Sequence, residues 1–282
     1  MNEQINKFWN YLISEEKAEA TAKQYVSAVI TFSKWLKGRK LCKDIVREYK
    51  MVLQEKYTVA TVNLIISALN SYFDWLDCPE YRVKGIKIQK SMYIAPNKDL
   101  TIQEYKRLVK TAHKTGKKRL CLIMQTIAAT GIRVSELRYI TVEALNKGLT
   151  TIMNKGKNRT ILISCRLCEL LLEYANEKGI ISGPVFVTRN GNPINRSNIW
   201  GEMKRLCKKA CVMASKVFPH NLRHLFGKTY YTMYQDISRL ADILGHSSIN
   251  TTRIYTLESG EIHRERIQNL GLVIDLRPQN TT

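Results

Sequence analysis

The stretch LGHSSINTTRIY places His246 directly after a Leu-Gly pair and Tyr255 nine residues later, with hydroxyls and an arginine between. A helix that merely packs does not need this combination. A site that uses a tyrosine nucleophile beside a proton-handling histidine does. Three other places hold polar groups that a plain helical fold would not require. In ATGIRVSEL, Arg133 follows a glycine stop. In NKGKNR, Lys155, Lys157 and Arg159 crowd the tip of a hairpin. In PHNLRH, His220 and Arg223 lie three apart and so share one helix face. Taken singly, each has a plain interpretation: a surface arginine, a solvated turn, an exposed pair or cap, a half-buried tyrosine. Their combination and order carry the functional signal.

The elements around them are mostly helical. Residues 1–77 read as about four helices with short connections, including TAKQYVSAVITFSKWLKG, which opens on a threonine cap and stops at Gly38. Residues 78–99 lose that period and hold two prolines, Gly85 and four lysines, the pattern of a linker. Thr101 and Glu104 then form a capping box before an amphipathic helix. KKRLCLIMQTIAATG reads as a buried helix ending at Gly131, TTIMNKGKNRTILI as a hairpin, CRLCELLLEYANEKG as a helix, and PVFVTRNGNPI as a short strand entering an Asn-Gly turn. A basic-faced helix, two further helices (the second capped by Asp236 and stopped by Gly245) and a final amphipathic helix complete the chain. The expected class is mainly α with a small β-sheet (α+β).

Among the 282 residues, 45 Lys and Arg face 24 Asp and Glu, a net charge of +21. Residues 96–282 hold +16 of it. Such an excess points to a polyanion, nucleic acid before anionic membrane. No apolar run approaches the length of a membrane span, and the N-terminus lacks the pattern of a secretory leader. The seven cysteines suit reduced thiols in a cytosol. Cys165-x2-Cys168 and Cys207-x3-Cys211 lack the turns of a zinc ribbon and are expected to be buried free thiols. No metal and no cofactor is expected.

The motifs ATGIRVSEL, HNLRH and LGHSSINTTRIY, with the hairpin NKGKNR, resemble the tyrosine recombinases of the phage-integrase and Xer type over roughly residues 99–270. The resemblance implies a helical, SAM-like core-binding domain at 1–80, a linker at 81–98, and a catalytic domain with a C-terminal helix at 99–282. It implies Arg133 and Arg223 as the paired catalytic arginines, Glu136 as the acid that supports the first, and His220 as the partner of Arg223. His246 takes the position that is His or Trp in the family, and Tyr255 is the nucleophile. NKGKNR is about one residue shorter than the family hairpin Gly-Lys-Gly-x-Lys-x-Arg, so Lys155 is the favoured hairpin lysine and Lys157 the alternative.

Physical chemistry agrees with these roles. A phosphodiester attacked by a phenol gathers charge on its non-bridging oxygens, which two planar guanidiniums meet. A tyrosine needs a proton acceptor, for which His220 is placed, with His246 donating to the phosphate. The leaving 5′-oxygen needs a proton, which a hairpin lysine supplies. The resemblance further implies double-stranded DNA held in a C-shaped grip, a chain monomeric in solution, and a homotetramer on synapsed DNA. It also implies a C-terminal helix, with Ile262, Ile267, Leu270 and Leu272, docked on a neighbour; docking on its own domain stays open. Integration or excision of a mobile element and resolution of DNA dimers both fit, with or without a directionality factor, in a cytoplasmic, nucleoid-associated setting. Two other activities stand beside it: a non-catalytic DNA binder on the same fold, and relaxation of the type IB topoisomerase kind.

Overall fold

The computed structural model describes residues 2–87, 99–154, 157–188, 190–256 and 260–272. The chain divides into two compact units, Met1–Lys90 and Ser91–Thr282.

The first unit is built from α1 (Asn2–Ser14), α2 (Glu19–Leu36), α3 (Lys43–Lys56) and α4 (Val59–Trp75). Their apolar faces meet in a core of Phe8, Leu12, Val29, Phe32, Val46, Leu53, Ile66 and Phe73. Phe8 meets the edge of Tyr72 with ring centroids 5.0 Å apart, and Phe32 packs on Tyr49 at the same separation. The stretch 81–87, at the start of the expected linker, lies against this bundle. Asn70 bonds both the N–H and the carbonyl of Val83, at 3.1 and 2.9 Å, and Asn63 does the same for Ile86, at 2.7 and 2.8 Å. Two asparagines seven apart on one helix thus act as a strand's partner. Residues 88–98, the rest of that expected linker, lie outside the described residues.

The second unit begins with α5 (Ile102–Lys114) and α6 (Lys118–Thr130). The capping box at the start of α5 is formed: Glu104 N–H donates to Thr101 Oγ1 at 3.1 Å, and Thr101 N–H to Glu104 Oε2 at 2.9 Å. The other Glu104 oxygen takes Lys216 Nζ at 3.0 Å, which ties α5 to the 3-10 turn Ala214–Lys216. α6 is buried almost all round through Leu120, Ile123, Met124 and Ile127 and stops at Gly131, which has a left-handed backbone, φ 64°. A 3-10 turn, Val134–Tyr139, and α7 (Val142–Lys147) lead into the one described sheet. This is the antiparallel pair β1 (Leu149–Asn154) and β2 (Lys157–Leu162), in register from Leu149 opposite Leu162 to Asn154 opposite Lys157. Then follow α8 (Cys165–Glu177), α9 (Arg196–Ala210), α10 (Pro219–Tyr234), α11 (Ile237–Leu244), α12 (Ile249–Thr252), a 3-10 turn Arg253–Tyr255, and α13 (Gly260–Gln268). The mainly helical class with a small sheet is the observed one. Among the described residues no helix is long and apolar enough to cross a membrane.

Three expectations are corrected. The second helix does not open on a threonine cap: it starts at Glu19 behind Ala18, and Thr21 lies inside its first turn. PVFVTRNGNPI forms no strand: it makes only isolated bridges, Thr141 with Pro184 and Val187 with Pro193. Each bridge includes a proline, which has no N–H to extend a ladder. The turn itself is present, with Thr188 N–H donating to Asn192 O at 2.7 Å. The paired cysteines are not uniformly buried either. Cys168 and Cys207 are buried, but Cys165 and Cys211 are exposed. Cys165 opens α8, and Cys211 sits just past the end of α9 on a left-handed backbone of φ 50°.

Candidate active site

Apart from Glu136, inside the 3-10 turn Val134–Tyr139, each expected site residue in the described part sits where an element begins or ends, or on α10. Arg133 follows Gly131 at the mouth of the 3-10 turn. Its backbone N–H donates to Glu136 Oε2 and its Nη1 to Glu136 Oε1, both at 2.9 Å. Glu136 is nearly buried, while the Arg133 side chain keeps 37% of its exposure. His220 and Arg223 stand one turn apart near the start of α10. His246 follows the glycine that stops α11, and Tyr255 closes the short turn after α12.

Arg223 is 1% exposed. Its Nη1 donates to Gly131 O, and its Nη2 donates to Leu244 O at 2.6 Å and faces His246 Nε2 at 3.1 Å. A guanidinium has no acceptor, so His246 Nε2 is the acceptor here and its proton is on Nδ1, 2.9 Å from Thr252 Oγ1. That differs from the expected donation by His246 to phosphate. The Thr252 hydroxyl both gives and takes hydrogen bonds, so it supports either tautomer when Arg223 turns to an anion.

Tyr255 is 5% exposed and packs with Leu240 and Leu244. Its ring lies parallel to His246, centroids 6.4 Å apart, and edge-on to His224 at 5.2 Å. His224 in turn meets His220 edge-on at 4.9 Å. A Cβ added at Gly227 would stand 2.6 Å from Tyr255 Cε1, so the glycine leaves the notch that the ring fills. His220, Arg223, His224 and Gly227 form one face of α10, and the tyrosine lies along it.

Burial raises the Tyr255 phenol above its ordinary value, while attraction and a hydrogen bond from Arg223 act the other way. The phenol therefore holds its proton at neutral pH and needs an acceptor. His220 and His246 are both held down to about 4, first by desolvation and then by neighbouring cations, Arg223 and Arg133 among them. Both are neutral at pH 7, and His246 Nε2 already accepts from Arg223. Burial, then Arg133 and Arg159, lowers Arg223 to about 10, so it stays charged. Three guanidiniums thus face one carboxylate, and the excess positive charge suits an anion. Two hollows flank Arg133: one of about 700 Å³ lined also by Arg196, Trp200, His220 and Arg223, the other of about 870 Å³ lined also by Glu136, Arg159 and His246.

Lys155, the favoured hairpin lysine, lies outside the described residues; Lys157 opens β2 opposite Asn154. Two residues join the site without having been singled out for it, His224 and Thr252, and Arg159, noted with the hairpin lysines, joins it too. His224 carries a signal, its position four residues after His220 on the same helix. Thr252 carries none of its own. Arg159 had been counted with a solvated hairpin tip, yet its side chain is 10% exposed and bonds Glu136 at 2.7 Å. Strand alternation reveals it, because Arg159 lies on the face of Ile161 and Ile163, both buried.

A helical unit followed by a mainly helical unit with one hairpin is the core-binding and catalytic architecture of the tyrosine recombinases. The chain belongs to the phage integrase family, whose model matches residues 98–261, and the family's N-terminal SAM-like domain matches residues 5–77. Tyrosine recombinase XerA of Pyrococcus furiosus is 30% identical over 286 residues, spanning 98% of this chain and 96% of that one. A crystal structure of XerA recombinase is 25% identical, covers 97% of this chain and 99% of its own, and superposes with a TM-score of 0.52. A lambda integrase dimer bound to a COC′ core site shares the fold at a TM-score of 0.72 and 16% identity, covering 99% of both chains.

Proposed function

We propose that the protein is a site-specific DNA recombinase that cuts and rejoins strands through a covalent 3′-phosphotyrosine. The observation that carries this is the packing of Tyr255 against His246 and His224, with Arg223 on His246, His220 next along α10 against His224, and Arg133 and Arg223 both acting on the phenol's charge. Tyr255 Oη attacks the scissile phosphorus and its proton passes to His220. Arg133 and Arg223 hold the two non-bridging oxygens as charge gathers there, and preorganised donors of this kind are often the largest catalytic contribution. His246 adds a hydrogen bond to the same phosphate, and Glu136 holds Arg133 in place. The bond to the 5′-oxygen breaks, and that oxygen leaves with a proton from Lys155 (Lys157 being the alternative). A 5′-hydroxyl from a second strand then attacks the phosphotyrosine, releases Tyr255 and returns the protons by the reverse path. Bond energy is conserved in the ester, so neither ATP nor a cofactor takes part.

Double-stranded DNA as partner is supported by the +21 charge and by the lambda integrase relative seated on its core site. Assembly of four copies on synapsed DNA, with the C-terminal helix on a neighbour, is supported by Ile267, Leu270 and Leu272, all exposed at the end of the described chain. The domain limits 1–80, 81–98 and 99–282 are those we assign to the DNA-gripping and catalytic parts, and the setting is the cytoplasmic nucleoid.

The test is a covalent trap. The protein and Tyr255→Phe are each incubated with a pool of nicked duplexes that shed a short fragment on cleavage, then denatured in SDS, and the attached DNA is sequenced. An adduct from the wild type and none from the variant is expected, and it reveals the target site. Tight binding without an adduct would leave a non-catalytic binder. Relaxation of supercoils by single copies without strand exchange would leave a topoisomerase.

A further inference from the structure

Arg159 stands on β2 opposite Ile152, facing the core rather than solvent. Its Nη2 donates to Glu136 Oε2 at 2.7 Å, and its Nη1 donates to Leu244 O. Both acceptors are shared. Glu136 also takes the backbone N–H and the Nη1 of Arg133, and Leu244 O also takes Arg223 Nη2. One guanidinium is therefore a single acceptor away from each arginine of the clamp. Gly245 makes room for it, since a Cβ there would lie 2.6 Å from Arg159 Cδ. Any change in the reach of Arg159 therefore shifts the acceptors on which Arg133 and Arg223 also depend.

We infer that Arg159 is a positioning residue that sets the placement of both Arg133 and Arg223. This rests on the proposed strand-transfer activity and extends it to a residue outside the reacting set. The two-pronged reach explains why the residue is an arginine. A lysine ammonium on the same strand keeps the charge but does not span Glu136 and Leu244 O with two fixed donors.

The experiment uses the whole chain and nicked duplexes bearing the site recovered by the covalent trap, in three chemistries. One is the native phosphodiester. The second carries a methylphosphonate at the scissile position, which removes the negative charge that the arginines meet. The third carries a 5′-bridging phosphorothiolate, whose thiolate leaves without a proton. Adduct formation is timed in single turnover for the wild type, Arg159→Lys, Arg159→Gln and, as reference, Arg133→Lys. Duplex affinity and thermal unfolding are measured alongside.

Misplacing a catalytic group by about 1 Å costs roughly 100-fold, and a loss of that order is expected on the native ester for both Arg159 variants, with duplex affinity unchanged. The loss should shrink on methylphosphonate, as that of Arg133→Lys should if Arg133 meets the phosphate charge, and persist on phosphorothiolate. Equal losses on all three substrates would reduce Arg159 to general structural support and overturn the inference. Selective recovery on phosphorothiolate would overturn it too, by moving the residue's effect to the leaving-group proton. If neither variant unfolds cooperatively, Arg159 serves the fold and the inference is wrong. Absence of an adduct from the wild type refutes the activity itself, whereas a wild-type adduct with only Arg133→Lys compensated by methylphosphonate refutes the role of Arg159 alone.

Discussion

Gly131→Ala probes how tightly the fold and the arginine clamp are joined. Gly131 has φ 64°, and an added Cβ would meet Phe226 Cδ1 at 2.6 Å, Leu244 Cδ2 at 2.8 Å and Phe226 Cε1 at 2.9 Å. Ordinary carbon contacts are about 3.5–4.0 Å, so a ring and a leucine must each retreat by most of an ångström. Overpacking of this sort costs about 1–3 kcal/mol, on top of about 1–2 kcal/mol for a left-handed alanine. Gly116 provides the internal standard: its φ is 70° and nothing lies within 4 Å of an added Cβ, so Gly116→Ala carries the backbone strain alone. The difference between the two variants isolates the contact. For a unit of this size each kcal/mol moves Tm by about 2–4 °C, so Gly131→Ala should melt about 2–12 °C below Gly116→Ala in calorimetry. Gly131 O and Leu244 O both hold Arg223, so Gly131→Ala should also slow adduct formation at temperatures where it is fully folded, and Gly116→Ala should not. Equal Tm values for the two variants would refute the packing argument, and equal cleavage rates would refute its link to Arg223.

Other outcomes follow from the same geometry. Arg223→Lys should slow adduct formation by about 100-fold to 1,000-fold with duplex affinity held, as measured by single-turnover rates beside binding isotherms; a parallel loss of affinity would argue against a transition-state role. Thr252→Val deletes the partner of His246 Nδ1, and losing a hydrogen bond of about 1 kcal/mol should slow cleavage roughly fivefold; an unchanged rate would show that His246 needs no such support. The depressed values of His220 and His246, about 4 in the fold against 6.5 unfolded, stabilise the native state above pH 6.5, and that stabilisation is lost as pH falls toward 4. Tm should therefore rise between pH 4.5 and 6.5 more steeply for the wild type than for His246→Gln, and identical slopes would contradict the placement of His246.

Local chemistry made much of this legible in the sequence. The capping box of Thr101 and Glu104, the stops at Gly131 and Gly245, and the hairpin around residues 149–162 follow rules that act within a few residues. The strand assigned to PVFVTRNGNPI failed because strand formation needs a continuing ladder of donors, and both of its bridges include a proline that has none. The arginines, histidines and tyrosine could be gathered as a set because their motifs are each short and distinctive. Arg159 was noted with the hairpin lysines but given no role, because the lysines beside it leave a solvated turn as the plain interpretation, although Ile161 and Ile163 mark its face as inward. His224 shares the His220 face of α10 by local spacing, whereas Thr252 joins the site only through packing of the turn bearing Tyr255, a long-range arrangement that no local pattern encodes.

The carbonyls that hold Arg223 belong to the ends of two helices: Gly131 caps α6, and Leu244 is the last residue of α11. Such ends carry partial negative charge, roughly half an electron each, and backbone oxygens with no partner inside the helix. Arg223 occupies both at once, and Arg159 occupies the second. A carboxylate in either place would cancel a whole cation and leave little attraction for an incoming anion. Two helix poles fix the guanidiniums just as firmly while neutralising them only in part. The fold thereby orients its positive charge without surrendering it, and the remainder is available to whatever phosphate enters.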